Sequence, residues 1–491
     1  MTEQPTTKIF SITTTLPYIN AKPHIGFAFE ILGADILARY HRLLGEQVIF
    51  NTGTDEHGQK IYEKALELGM TPQAYCDSLV GDFQALREKL NLSYDRFIRT
   101  TDEHHVAAAQ EMWRRCFAAG DIYKQKYEVK YCVGCELEKT DSELVHGRCP
   151  LHPDKELEVR AEENYFFRFS KYETALLELY KVRKMAEEPF VQPEGKQKEI
   201  EAFVEGGLKD FSISRVAAKM PWGIPVPDDE EQVMYVWFDA LTNYISTLGW
   251  PEVDLTRPES GWPVIQVAGK DNLRQQSAMW QAMLMSAGIE PSAKILINGF
   301  IMVNGQKMSK SLGNVISPDQ MIEKYGTEVT RYLLANLGNF GEDTDVTWEK
   351  MAEVYNAELT NGLGNLCSRV AKMMSQTADF DLGNEREIER KTELTPEFKE
   401  YLNNYQIREG LDWIKEKVAA TDKYLSVEQP WKLTDEPAKK RDVLQKAGRM
   451  ILEIADHLQI FMPEISRQIS EHFRAETIQP MTPLFPRITN S

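Results

Sequence analysis

A parallel α/β fold, interrupted by an insertion and followed by an all-helical region, is predicted by three features of this 491-residue sequence. Near the N-terminus, segments rich in β-branched residues alternate with segments of helical period, the pattern of a parallel sheet. From about residue 118 the chain turns short-stranded and gathers three of its six cysteines. From about residue 346 the apolar residues recur almost wholly at helical spacing.

The elements follow in order. Ile9 to Thr15 is β-branched and stops at Pro17, which cannot donate to a sheet. Phe29, Leu32, Ile36, Tyr40 and Leu43 share one face of a helix, and Gly45 ends it. Val48 to Phe50 predicts the next strand, and a helix follows over about Gln59 to Leu68. The α/β pattern returns with strands at Val233–Trp237, Val264–Val267 and Lys294–Ile297. Ile451, Ile454, Leu458 and Phe461 carry the helical period of the last region. The boundaries expected are 1–117 for the first half of the α/β domain, 118–222 for the insertion, 223–345 for the second half, and 346–491 for the helical domain. His104 and His105 follow Thr100-x-x-Glu103, a capping-box pattern, and are expected on a helix surface.

Composition excludes several function classes. Hydrophobic residues at 42% and charged residues at 27% fit a folded globular chain. No apolar run approaches the length of a membrane-spanning helix, so no membrane role is expected. Met1 to Lys8 is polar and lacks the apolar core of a secretory signal, which points to the cytoplasm. The net charge of −18 argues against non-specific polyanion binding, which draws affinity from lysine and arginine, but leaves room for a local patch.

Three constellations carry chemistry. Pro23-His24-Ile25-Gly26-Phe27 lies between the first strand and its helix. A helix N-terminus presents unpaired N–H groups and partial positive charge to a phosphate, and His24 adds a donor while Gly26 permits close approach. Lys307-Met308-Ser309-Lys310-Ser311, flanked by Gly305 and Gly313, is a cationic loop of lysines and hydroxyls suited to closing over a triphosphate. Cys132-x2-Cys135 and Cys149-x2-His152 form two close pairs of sulfur and nitrogen donors. Four protein ligands fill a tetrahedral zinc shell and leave no open position, so the metal is expected to be structural. Cys76, Cys116 and Cys367 are isolated and expected as buried apolar residues.

The first two constellations, in this order, resemble the HIGH and KMSKS signatures of the class I aminoacyl-tRNA synthetases. KMSKS is complete; HIGH departs at its last position, where Phe27 stands. The resemblance sharpens to the methionyl-tRNA synthetase family and spans nearly the whole chain. It rests on Leu16-Pro17-Tyr18, Gly53-Thr54-Asp55-Glu56-His57-Gly58, Glu163-Asn164-Tyr165-Phe166-Phe167-Arg168 and Tyr235-Val236-Trp237-Phe238-Asp239-Ala240. It implies a Rossmann-like catalytic domain split by a zinc-knuckle insertion, with a helical-bundle anticodon-binding domain behind it. It implies ATP-dependent ligation of methionine to tRNA(Met), with Mg2+ on the phosphates.

By this resemblance His24, Lys307 and Lys310 stabilise the transition state. ATP is held by His24, Gly26, Gly269, Asp271, Lys307, Met308, Ser309, Lys310 and Ser311, with Asp271 on the ribose. Asp55 pairs with the α-ammonium of methionine. Leu16, Tyr18, Trp237, Ala240, Leu241 and Tyr244 line the thioether pocket, where aromatic walls suit a polarizable sulfur. The family's Phe-His is replaced here by Gln275-Gln276, and Gln276 is expected to bond the substrate carboxylate or to order a pocket tyrosine. Asn365 and Arg369, four apart on one helix face, are expected to bond anticodon base edges, and Trp431 to stack on a base. Synthetases for leucine, isoleucine or valine need a large editing insertion, and this one is too short. A cysteinyl enzyme would place its zinc in the active site. A tRNA-binding factor without catalysis is disfavoured by the intact lysine loop and Asp55. The chain stops soon after Pro486, much as the short forms of the family do, and a monomer is expected.

Overall fold

Six strands of the computed structural model, all parallel, form its central sheet. Their spatial order is Arg96–Arg99, Gln47–Thr54, Ile9–Thr14, Ile265–Gly269, Lys294–Asn298 and Val191–Gln192. The structure describes residues 8–135, 137–139, 144–308, 314–338, 340–378, 380, 382 and 394–487. The chain divides into two compact units, the first being Met1–Pro23, Gln47–Arg87 and Tyr94–Asn298, the second His24–Glu46, Glu88–Ser93 and Gly299–Ser491.

The first unit holds the sheet. Ile9–Thr14 is buried along nearly its whole length, as a central parallel strand must be when both faces are covered. Val191–Gln192 pairs in parallel with Lys294–Asn298, so the stretch expected as an insertion also supplies the sheet's last strand. This stretch forms a separate antiparallel sheet, but not the short-stranded one expected: Ile122–Cys132 and Glu158–Phe167, of 11 and 10 residues, pair with each other and with the short strands Leu137–Lys139 and Phe211–Ser212. The core of this unit is a continuous apolar cluster that includes Trp113, Phe167, Tyr180, Phe238, Tyr244, Trp280 and Ile295. Two further expectations are corrected. Val233–Trp237 is not one strand: the strand is Asp229–Met234, and Val236–Ala240 is a short helix that carries Trp237. The helix Glu103–Ala118 has Asp102, not Thr100, at its N-cap, because the Thr100 hydroxyl accepts the Glu56 N–H at 3.0 Å instead.

The second unit contains the helix Ile25–Leu43 together with the C-terminal helices, of which Asn365–Ser375, Ile407–Glu428, Pro437–Leu458 and Pro463–Phe473 are four. Ile451, Ile454, Leu458 and Phe461 are all buried, as their period requires. Its ionic centre is Arg331, fully buried, whose guanidinium bonds Asp35 at 2.8 Å and the carbonyls of Leu90, Phe461 and Ile460 at 2.9, 2.8 and 3.1 Å. Burial raises the Asp35 pKa, but Arg331 and Arg39 outweigh it, and the carboxyl is held below its usual range.

His457 gives this unit a measurable acid sensitivity. Its Nδ1–H donates to the Glu453 carbonyl at 2.7 Å, its Nε2 accepts the Thr395 N–H at 3.0 Å, and its ring lies 4.4 Å from that of Trp413. Both nitrogens are used by a neutral ring, and burial pushes its pKa from 6.5 down to about 4. The unfolded chain therefore binds a proton that the folded chain refuses. The stability from this group is fully present above pH 6.5 and is lost as pH falls toward 4. Denaturant unfolding should lose about 3 kcal/mol over that window from this residue. His457→Gln should flatten that part of the profile; an unchanged pH slope in the variant would refute the assignment.

Candidate active site

The carboxyl ends of the parallel strands are where ligands bind open α/β sheets, and several of the residues expected to hold the amino acid lie there. Leu16 and Tyr18 follow the Ile9–Thr14 strand, and Asp55 follows Gln47–Thr54. The two connections are bonded together: the Ile19 N–H donates to the Asp55 carbonyl and the Asp55 N–H to the Pro17 carbonyl, both at 3.0 Å. Asp55 is buried to 8% exposure. Gly269 and Asp271 sit at the end of the Ile265–Gly269 strand, with Asp271 exposed on the turn Lys270–Asn272.

Trp237 is half-buried, while Ala240, Leu241 and Tyr244 are buried in the helical turns that follow. Gln276 is 1% exposed, in a π-helical turn Gln275–Met279, and its Nε2–H donates to the Tyr244 hydroxyl oxygen at 2.7 Å. Gln266 Nε2 donates in turn to Gln276 Oε1 at 3.1 Å. The bond to Tyr244 is the contact that the second of the two tasks expected for Gln276 requires.

A buried polar chain joins these elements, and sequence reasoning missed it. Asp239 Oδ2 bonds His57 Nδ1 at 2.7 Å and Asp239 Oδ1 bonds His105 Nε2 at 2.8 Å. His105 Nδ1 meets the Ser246 hydroxyl at 2.9 Å. Burial raises the Asp239 pKa, but His57 and His105 outweigh it and the carboxyl stays below its usual range. His105, expected on a helix surface, is fully buried. Glu56 is also fully buried and is held by Arg99 Nε and Nη2 at 2.7 and 2.8 Å.

The residues expected to meet the phosphates, His24 and the lysine loop, lie in the second unit. His24 is the N-cap of Ile25–Leu43, and its Nδ1 accepts the Gly26 N–H at 3.0 Å. A β-carbon built on Gly26 would stand 3.7 Å from Met308 Cε. The Ile25 N–H donates to the Ile316 carbonyl at 3.1 Å. Both shoulders of the lysine loop thus flank the first turn of the helix capped by His24. Lys307 is exposed, its ammonium 3.9 Å from the centre of the Phe300 ring. Ser309, Lys310 and Ser311 lie outside the described residues.

In the helical part, Arg369 bonds Asp422 at 3.0 Å and stands 5.9 Å from the centre of the Trp431 ring, which is 46% exposed. Asn365 is exposed one turn earlier, and with Arg369, Glu358 and Lys415 it lines a cavity of about 340 Å³. The three residues expected to read bases are gathered on one side of the bundle.

The cysteine cluster is assembled as its spacing predicts. The sulfurs of Cys132, Cys135 and Cys149 and a nitrogen of His152 all lie within 4.8 Å of one another. Cys135 Sγ is 3.3 Å from Cys149 Sγ, and His152 Nδ1 is 3.2 Å from Cys135 Sγ and 3.9 Å from Cys132 Sγ. Ligands on a tetrahedral zinc lie about 3.5–3.8 Å apart, so the donor set fits that ion. A β-carbon on Gly134 would fall 2.3 Å from the His152 ring, so only glycine allows this approach. Cys76, Cys116 and Cys367 are buried, as expected.

A family model described as tRNA synthetases class I (M) matches residues 10–156 and 152–371, which sets the class. The chain is 41% identical to methionine–tRNA ligase of Thermosynechococcus vestitus, over 94% of this chain and 89% of that protein. It is 39% identical to the Thermotoga maritima methionine–tRNA ligase, over 94% of this chain and 74% of that protein. A Mycobacterium tuberculosis methionyl-tRNA synthetase, solved in complex with methionyl-adenylate, superposes with a TM-score of 0.90 at 35% identity, covering 98% of this chain and 100% of that one. The chain belongs to the methionyl-tRNA synthetase family.

Proposed function

We propose a division of labour among residues for the reaction that membership in this family assigns: ATP-dependent ligation of L-methionine to its tRNA through a methionyl-adenylate. The methionine carboxylate attacks the α-phosphorus of ATP and pyrophosphate leaves. A hydroxyl of the terminal tRNA adenosine then takes the acyl group and AMP leaves. The carboxylate is already ionised at pH 7, so the first step needs positioning and charge stabilisation more than a base.

His24, Lys307 and Lys310 stabilise charge on the phosphates. Gly26 and Met308 shape the approach, with Ser309 and Ser311 as further donors. Gly269 and Asp271 hold the nucleoside. Mg2+ enters with the triphosphate as part of the substrate. Asp55 pairs with the α-ammonium, and Leu16, Tyr18, Trp237, Ala240, Leu241 and Tyr244 enclose the thioether with Gln276 behind the tyrosine. Asn365, Arg369 and Trp431 read the anticodon of tRNA(Met). The protein acts in the cytoplasm as a monomer, with domain limits near 117, 222 and 345. The observation that supports this reading most is the seating of Met308 and Ile316 against the first turn capped by His24.

The test is ATP–pyrophosphate exchange with methionine, leucine, isoleucine, valine and cysteine in parallel. Only methionine should support exchange, and Lys310→Ala should depress it strongly. Exchange driven by another amino acid, or unchanged by the lysine variant, defeats the assignment.

Zinc, held by Cys132, Cys135, Cys149 and His152, supplies cross-linking of the knuckle and no chemistry on the substrates. Metal analysis of the purified protein should give one zinc per chain, and Cys149→Ser should lose it. Structural zinc contributes folding energy directly. Chelation should therefore lower the midpoint of thermal unfolding while the pH profile of exchange keeps its shape. A zinc content unaffected by the cysteine change rules out this site.

A further inference from the structure

Asp239 occupies an unusual position among the residues of the first unit. It sits in the helix Val236–Ala240, between two residues assigned to the thioether wall, Trp237 and Ala240, but its own side chain points away from solvent and is fully buried. One carboxylate oxygen goes to His57, two residues beyond Asp55, and the other to His105. A carboxylate only accepts hydrogen bonds, so both imidazole nitrogens facing it carry protons. His57–Asp239 is thus a direct bond between the loop that carries the ammonium-pairing group and the helix that carries the wall, across 182 residues of sequence.

The loop is also held from its other side. Trp222 Nε1–H donates to the Glu56 carbonyl at 2.5 Å, the Gly58 N–H donates to the Trp222 carbonyl at 3.2 Å, and the Trp222 ring lies 5.2 Å from that of His57. Gly58 has a φ of +106°, and a β-carbon there would meet the Tyr18 hydroxyl at 2.9 Å. The loop is thus restrained on that side, and the His57–Asp239 bond ties it to the helix Val236–Ala240, beside the packing of Gly58 near Val236.

We propose that Asp239 is a positioning residue for amino-acid selection: through His57 it fixes the span between Asp55 and the Trp237–Tyr244 wall, and so the length of side chain the site accepts. This rests on the methionine-site assignment above. The ligand it selects is an unbranched amino acid whose α-ammonium and thioether reach both ends at once. A misplacement of about 1 Å in such a site costs up to about a hundredfold in rate, which makes a single strut worth testing.

The experiment is ATP–pyrophosphate exchange by the full chain at varied methionine and varied ATP. Asp239→Ala should raise the methionine KM roughly tenfold or more and leave the ATP KM within about twofold, the pattern of a lost ground-state contact with one substrate. Asp239→Asn should recover most of the loss. The amide oxygen can keep His57, and the amide N–H can be taken by His105 if its other nitrogen donates to Ser246 instead. Should Asp239→Ala fail to fold, His57→Leu and His57→Asn replace it, since an asparagine amide N–H stands close to where the histidine Nδ1–H stood. The leucine variant should raise the methionine KM and the asparagine variant should not. Asp55→Asn is run beside them. If it raises the methionine KM while Asp239→Ala and His57→Leu leave it unchanged, the strut proposal falls and the methionine site stands. If Asp55→Asn is itself without effect, the site assignment falls. A parallel rise in both KM values, or equal losses in the conservative and non-conservative variants, reduces Asp239 to a general structural role and overturns the proposal.

Discussion

His24→Asn should slow adenylate formation by about 100- to 1,000-fold, or about 2.7–4 kcal/mol of transition-state stabilisation, the range for removing one preorganised donor from developing charge. The stability of the protein should hardly move. The reason lies in the two nitrogens of the ring. Nδ1 accepts the Gly26 N–H at 3.0 Å and caps the helix, so in the neutral ring the proton resides on Nε2. An asparagine oxygen caps as well as any side chain, but asparagine ends short of where Nε2–H donates. The variant separates the two tasks. His24→Ala should lose the cap too, about 1 kcal/mol of stability. Single-turnover adenylate formation, with calorimetry on the same samples, decides the matter; an asparagine variant that retains the rate shows that capping was the only task of His24.

Arg331→Leu should destabilise the second unit by about 3–5 kcal/mol, because removing one partner of a buried pair strands the other. Asp35 would keep the Ser93 N–H at 2.6 Å, the Ser93 hydroxyl at 2.7 Å and Arg39 at 2.7 Å, but would lose the guanidinium that is buried with it. Four carbonyls, of Leu90, Asn91, Ile460 and Phe461, would lose a donor in the same step. Adding Asp35→Asn to Arg331→Leu should recover part of the loss, since a neutral amide is cheaper to bury than a carboxylate left with Arg39 as its remaining cation. Denaturant unfolding of the two single variants and the double variant measures the coupling. Additive losses would mean that the pair does not act as a unit.

Much of the architecture was legible because it depends on local pattern. The β-branched run at Ile9, the helical stripe through Phe29 and Tyr40, and the cysteine pairs each follow from neighbours in the chain. Trp237 was misread as strand because Val233 to Trp237 is continuously apolar and aromatic, and an apolar run of that length does not distinguish a strand end from a short buried helix. His105 was misread for a different reason. Its partners, Asp239 and Ser246, are more than a hundred residues away, and nothing in Glu103-His104-His105 announces a carboxylate across the core. Arg331 shows the same limit, since an arginine in a helical stretch gives no sign that it will be buried. The candidate residues on the strand ends were proposed through motif chemistry, whereas bonds that hold those motifs, such as His57 to Asp239, are long-range.

The C-terminal bundle does not end cleanly where its helices begin. The first N–H groups of the helix Pro463–Phe473 donate to the Glu328 carboxylate, from Glu464 at 2.8 Å and from Ile465 at 3.1 Å. The Tyr40 hydroxyl reaches Asn403 at 2.8 Å, and the turn at Ile460 and Phe461 is met by Arg331. A fragment cut at residue 346 to isolate the C-terminal helices would carry orphaned donors and acceptors at each of these places. A useful excision has to bring the helix Ile25–Leu43 along, which the order of the chain forbids without a designed linker.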